Sequence, residues 1–230
     1  MARTYKQGCI MAHTLDVLGE RWTLLIVRQL LLGPQRFAEL QGNLSGMGPN
    51  LLSKRLKDLE EAGIIESVTN GYRLTDEGEG LRSIALSIVR WGIRYFISPK
   101  RKDKTGKEVL LRDIYQPDSI ALALEIMCSR RKLGEGDFVC GYKITDMPYT
   151  LFFSDSQVIM RRGDVGPTPA HIAADGDVYM QILRDQLSLE DALADGRMVQ
   201  TGSEDVLMRI NAAMFKRNAS QRVRREKQSH

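Results

Sequence analysis

The feature that most constrains this chain lies around Gly63, where the apolar period changes from helical to extended. Before it, Pro49 to Ala62 carries Leu52, Leu56 and Leu59 at three- and four-residue spacings, with Pro49 suited to a first helical turn and Gly63 to a stop. After it, Ile64–Val68 and Tyr72–Leu74 flank Thr69-Asn70-Gly71, and Asn-Gly between two apolar strands predicts a β-hairpin. Upstream, Phe37 to Leu44 is a short amphipathic helix closed by Ser45-Gly46-Met47-Gly48. Helix, glycine-containing turn, helix and hairpin together make a helix-turn-helix followed by a wing. The stretch from Asp16 to Leu32 reads as a preceding helix that ends at Gly33-Pro34. From Thr75 a long helix resumes, with Leu81, Ile84, Ala85, Ile88, Trp91 and Tyr95 on one side and Leu86, Val89, Ile93 and Ile97 widening the stripe. One neighbour cannot cover a stripe that wide, so a second apolar contact is expected, most simply another copy of the chain.

At about 100° per residue, Leu52, Leu56 and Leu59 of the Pro49–Ala62 helix fall within about 60° of one another. Asn50, Lys54 and Lys57 fall on the opposite side, with Ser53 and Asp58 flanking. One face is core, and the other carries hydrogen-bonding and cationic groups of the kind that contact base edges and phosphates when a helix enters the major groove of double-stranded DNA. The bland alternative is a solvated face on which Lys54 and Lys57 balance Asp58, Glu60 and Glu61. Arg36, at the start of the first helix of the pair, and Arg73, on the wing, are the expected phosphate contacts.

The residues that carry this pattern resemble a known family. Leu15-Asp16-Val17-Leu18-Gly19-Glu20-Arg21-Trp22-Thr23-Leu24-Leu25-Ile26-Val27-Arg28, then Gly33-Pro34-Gln35-Arg36-Phe37-Ala38-Glu39-Leu40, look like the HxlR-type winged helix regulators. The run from Leu51 to Ile65, Leu74-Thr75-Asp76-Glu77-Gly78 and Trp91-Gly92 continue the match over roughly residues 9–97. The resemblance implies a dimeric, MarR-related bacterial or archaeal transcription factor that reads the major groove with the second helix of the pair. Dimerisation would use the Leu81–Ile97 helix and the N-terminal helix. The hairpin tip at Asn70-Gly71 is shorter than the family pattern, so specificity is expected from the helix rather than the wing. Cys9 matches a cysteine near the start of many such proteins, some of which sense oxidants or electrophiles through it. Lys6 and His13 are candidates for lowering its pKa, and the alternative is a small apolar residue packed under the dimer helix.

Charge separates the rest of the chain from this region. Residues 1–100 hold 13 basic and 10 acidic groups, residues 101–215 hold 14 and 18, and residues 216–230 hold 6 and 1. The polar run Ser98 to Lys107 can bury nothing, so the expected organisation is a DNA-binding and dimerisation domain over 1–98, a linker over 99–107, a second domain over 108–215 and a basic tail over 216–230. The second domain alternates helical and strand-like runs, and the whole chain is expected to be α+β: a winged helix-turn-helix followed by an α/β-layered domain. In its strands, Met147-Pro148 and Asp155-Ser156 are expected turns. Its later motifs, Ala174 to Tyr179, Leu187 to Arg197 and Gln200-Thr201-Gly202-Ser203, look like the end of a sterol-carrier-protein-2-like (SCP2-like) domain. Such a domain surrounds an apolar cavity, and Phe138, Tyr142, Phe152, Phe153, Val158 and Met160 are the candidate lining for a small apolar effector. They are equally the composition of an ordinary core.

Catalysis finds no support: His13 and His171 lack partners at a motif spacing, and neither a metal-binding spacing nor a phosphate-binding glycine loop is present. No enzyme activity, cofactor or metal is expected. Three cysteines without a close pair suggest neither a disulfide framework nor a zinc knuckle. No apolar run approaches the ~18 residues that span a bilayer, which points to a cytoplasmic protein. Two functional readings follow: a homodimeric DNA-binding regulator, expected to repress and to respond to an apolar ligand or to Cys9 oxidation, and a lipid or small-molecule carrier whose winged helix makes protein contacts only.

Overall fold

The computed structural model of the protein describes residues 4–96, 116–129, 133, 135–154, 157–183 and 186–215. The expected linker and basic tail lie outside these residues. The chain divides into two compact units, Met1–Ile88 and Val89–His230. Among the described residues, no helix is long and apolar enough to cross a membrane.

In the first unit, α1 (Ile10–Leu18) and α2 (Thr23–Leu31) precede the pair α3 (Phe37–Asn43) and α4 (Pro49–Glu61). A hairpin of β1 (Ile65–Val68) and β2 (Gly71–Leu74) follows, then the single turn α5 (Asp76–Glu79) and the start of α6 (Arg82–Phe96). The core joins Ile26, Val27, Leu30 and Leu31 of α2 to Leu40, Leu44, Leu52, Leu56, Leu59, Ile65 and Leu74. The helix-turn-helix and wing stand where the apolar period places them, because each leucine stripe has a partner in this one core.

Two of the expected helices are broken. Asp16 to Leu32 is interrupted between Gly19 and Trp22: Gly19 closes α1, and Trp22, with a left-handed backbone (φ +82°), starts the chain again as α2. The helix from Thr75 is likewise split at Gly80-Leu81. The wing also differs at its tip. Val68 pairs with Gly71, so the two-residue connection is Thr69-Asn70, and Gly71 belongs to β2. Tyr72 forms an antiparallel bridge with Gln35, which lays β2 against the chain entering α3.

The second unit is a five-stranded mixed sheet in the order β5-β4-β3-β6-β7, formed by β3 (Phe138–Ile144), β4 (Met147–Phe153), β5 (Val158–Arg162), β6 (Ala170–Ala174) and β7 (Met198–Gly202). Only β3 and β6 run parallel. Helices α7 (Pro117–Ser129), α8 (Gly176–Leu183), α9 (Leu189–Ala194) and α10 (Glu204–Phe215) complete it, with α7 packing on β3, β4 and β5 and α10 on α7 and β6. Met147-Pro148 is no turn: both residues pair within β4, and the reversal is Thr145-Asp146, with Thr145 at φ +55°. Buried polar groups lock α7 to the sheet. Tyr149 donates to Asp118 at 2.7 Å, Arg162 pairs with the same carboxylate at 2.7 Å, and the fully buried Glu125 accepts from the Met160 amide at 2.8 Å.

Candidate functional site

The α4 face forms from a short list of local choices. Gly48 caps the helix in an extended conformation, Pro49 occupies the first turn, and the leucines at 52, 56 and 59 turn inward until each is 2% exposed or less. That burial leaves Asn50, Ser53, Lys54 and Lys57 outward, and all four are exposed. They stand at positions i, i+3, i+4 and i+7, a single strip of amide, hydroxyl and ammonium groups. Lys57 lies 3.6 Å from Glu61, an exposed pair of low energy, whereas Lys54 has no acidic partner among the described residues.

Around the strip, Arg36 is the exposed residue preceding α3, and its amide donates to the Glu39 carboxylate at 2.6 Å. Arg73 on the wing is exposed but pairs across the hairpin with Glu66 at 2.7 Å. The six residues expected at a nucleic-acid surface are therefore all exposed on the same unit, with Arg73 partly neutralised.

Arg55, which the helical period places beside the leucine stripe, is the basic residue of α4 that sequence reasoning left out. Its side chain is 13% exposed, and it pairs with Asp58 at 2.9 Å and with Glu20 of the α1–α2 turn. Its partner lies 35 residues earlier in the chain, so only the tertiary fold reveals it.

A second surface of this unit is apolar. On α1, Ile10 is 86% and Met11 71% exposed, with Leu15 also exposed. On the part of α6 that belongs to this unit, Ile84 and Ile88 are exposed one turn apart. Cys9 is exposed as the residue preceding α1, and the nearby His13 has its Nδ1 atom 3.9 Å from the Asp16 carboxylate.

In the second unit, the six residues expected to line one cavity do not do so. Strand alternation and register place Phe138, Tyr142, Phe153, Val158 and Met160 on one sheet face, whereas Phe152 sits on the other with Val139 and Ile159. Tyr142 and Met160 are core residues, and Val158 is half-buried. Phe138 and Phe153 stack at 4.7 Å, and the Arg209 guanidinium lies 4.6 Å from the Phe138 ring. Only Phe138, Phe152 and Phe153 border the crevice at that end of the sheet, about 340 Å³, together with Val139 and Ile159. Deeper in the unit, burial pushes the Cys128 and Cys140 thiols up to about 12 and the Tyr142 phenol well above its ordinary range. Among the described residues there is no cluster of three or more metal-ligating side chains.

Residues 17–100 match the family model described as HxlR-like helix-turn-helix. The HTH-type transcriptional regulator YvaP of Bacillus subtilis is 39% identical over 87 residues, which cover 35% of this chain and 81% of that protein. The HTH-type transcriptional regulator Rv3095 of Mycobacterium tuberculosis is 36% identical over 101 residues, 41% of this chain and 63% of its own length. The match thus spans less than two thirds of the mycobacterial relative. A solved structure of quinone-bound YodB from B. subtilis is 32% identical, aligning 36% of this chain and 96% of that one with a TM-score of 0.35. Sequence matches, helix-turn-helix and wing agree over the same residues, and the chain belongs to the HxlR-like helix-turn-helix family.

Proposed function

We propose that the protein is a homodimeric, sequence-specific DNA-binding transcriptional regulator that acts as a repressor. The observation that carries this reading is the α4 strip: Asn50, Ser53, Lys54 and Lys57 stand exposed on a helix whose opposite face is sealed into the core. An amide and a hydroxyl suit base edges, and two ammonium groups suit the phosphates on either side of a major groove. Arg36 and Arg73 add phosphate contacts, the latter by exchanging Glu66 for the backbone. The relatives named as HTH-type transcriptional regulators support the same reading.

The second copy covers the apolar residues of α1 and α6, which leave a lone chain with isoleucine and methionine side chains in water. Two copies place two α4 helices against two half-sites. The second unit serves as an SCP2-like effector or oligomerisation module. The crevice beside Phe138, Phe152 and Phe153 supports a small apolar effector there, and the exposure of Cys9 supports oxidation as a further input.

The test is the salt dependence of DNA binding. Log K against log salt falls steeply when several phosphates are neutralised, and Lys54→Ala with Lys57→Ala lowers affinity and flattens the slope by about 2. Binding without salt dependence, or a double variant that binds as the unaltered protein does, would overturn the assignment and favour the carrier reading.

A further inference from the structure

We propose that Arg55 is a positioning residue of the recognition helix: its ion pair with Glu20 sets the rotation at which α4 is presented, and Arg55 itself contacts no phosphate. The proposal rests on the DNA-binding reading above. By charge alone Arg55 looks like one more phosphate ligand on α4. Its surroundings say otherwise. The side chain is 13% exposed, one terminal nitrogen is 2.9 Å from Asp58, and the other is bonded to Glu20. Its Nε is buried without a hydrogen-bond partner, and both terminal nitrogens are already engaged by carboxylates, so a phosphate would have to compete with Asp58 and Glu20 for them. A guanidinium shared between carboxylates of two separate elements is a bracket, because its planar fork fixes direction as well as distance.

The element at the other end is rigid. Gly19 ends α1 with its amide on the Leu15 carbonyl at 2.7 Å, and a Cβ there would lie 2.4 Å from that oxygen. Three residues on, Trp22 holds a left-handed backbone, which a tryptophan keeps only when its surroundings fix it. Its ring packs on the core of the unit and reaches Gly46 in the α3–α4 turn, while Arg21 lies 5.2 Å over it. Glu20 therefore projects from a turn that is itself pinned to the helix-turn-helix.

Apolar burial of Leu52, Leu56 and Leu59 sets how deep α4 sits but is non-directional, so it resists a small rotation about the helix axis weakly. Side-chain tips stand roughly 5–6 Å from that axis, and a turn of about 10° moves them by about 1 Å, enough to break a base-edge hydrogen bond. The Glu20–Arg55 bracket opposes that rotation. It also ties α4 to the turn that follows α1, the helix that carries exposed Ile10 and Met11, so a second copy seated on α1 bears on the segment that holds the reading face.

The sign of one substitution separates positioning from charge. Glu20→Gln removes a negative charge from the DNA-binding unit, so electrostatics alone predicts tighter binding, whereas loss of the bracket predicts weaker binding. The full-length protein is used with a duplex that the unaltered protein has selected from a random-sequence pool, and with an unselected duplex, each at several salt concentrations. We expect Glu20→Gln and Arg55→Gln each to bind the selected duplex about tenfold more weakly, with the unselected duplex held as before and the salt slope unchanged. Lys54→Ala, by contrast, lowers the slope by about 1. Retained binding of the unselected duplex shows that the variants are folded. Equal or tighter binding by Glu20→Gln, equal loss on both duplexes, or a slope lowered by about 1 in Arg55→Gln would each overturn the proposal and leave the DNA-binding reading standing. Failure of the unaltered protein to enrich any duplex would overturn both.

Discussion

At the scale of single residues, Gly71 shows how backbone geometry constrains the wing. Its φ is +125°, and a Cβ would lie 2.2 Å from the Gln35 carbonyl oxygen, backbone that cannot swing aside. Gly71→Ala is expected to destabilise the first unit by about 2–3 kcal/mol, lowering its melting midpoint by roughly 10 °C or more in a circular-dichroism melt. The cysteines make a second case. Cys128 and Cys140 sit in the second unit with thiols pushed up to about 12 by burial, while Cys9 is exposed. At pH 8 an alkylating reagent should label one cysteine of three in the folded protein, which mass spectrometry counts. The same shifts fix a pH dependence. A thiol whose pKa rises on folding stabilises the native state below its unfolded pKa, near 9.0, and that contribution is lost as pH climbs from there through about 12. Thermal midpoints should fall between pH 9 and pH 12, and fall less in Cys128→Ala; an unchanged fall would assign the effect to other groups.

At the scale of elements, the period of the apolar residues foretold α3, α4 and the wing, because all three are one-sided structures packed on a single core. The breaks at Gly19–Trp22 and Gly80-Leu81 were not legible. Trp22 has no glycine-like freedom, and its left-handed conformation is imposed by tertiary packing that a local pattern does not register. Likewise Met147-Pro148 looks like a turn in the sequence, yet Pro148 stands near the start of β4, outside the stretch paired with β5, where a missing amide is tolerated, and Thr145-Asp146 makes the reversal. The base of the wing depends on Thr75. Its hydroxyl donates to the Gly63 carbonyl at 2.6 Å and accepts from the Gly78 amide at 3.1 Å, closing α5 onto the end of α4. Thr75→Ala should cost about 1 kcal/mol, read as a lower denaturation midpoint with an unchanged slope in urea.

At the scale of the whole molecule, the exposed apolar residues Ile10, Met11, Ile84 and Ile88 of α1 and α6 motivate the expected assembly. Ile10→Asp places a carboxylate at a position 86% exposed in the single chain, so it should leave the fold of one chain intact. If α1 joins two copies, light scattering should report one chain where the unaltered protein reports two, and affinity for the selected duplex should drop with it. A variant that remains a dimer would remove α1 from the interface.

The sequence by itself determined the order of the helix-turn-helix and wing, the face of α4 that turns outward, and the excess of apolar surface on α6. Each is a local periodicity, and a period of 3.6 or 2 residues assigns faces without reference to distant chain. Only the tertiary structure decided that Arg55 is bracketed by Glu20, that Phe152 stands on the opposite sheet face from its five companions, and that Arg73 is held by Glu66. These depend on which residues meet across long stretches of chain or across a strand register, and a one-residue change in register reverses every face it touches.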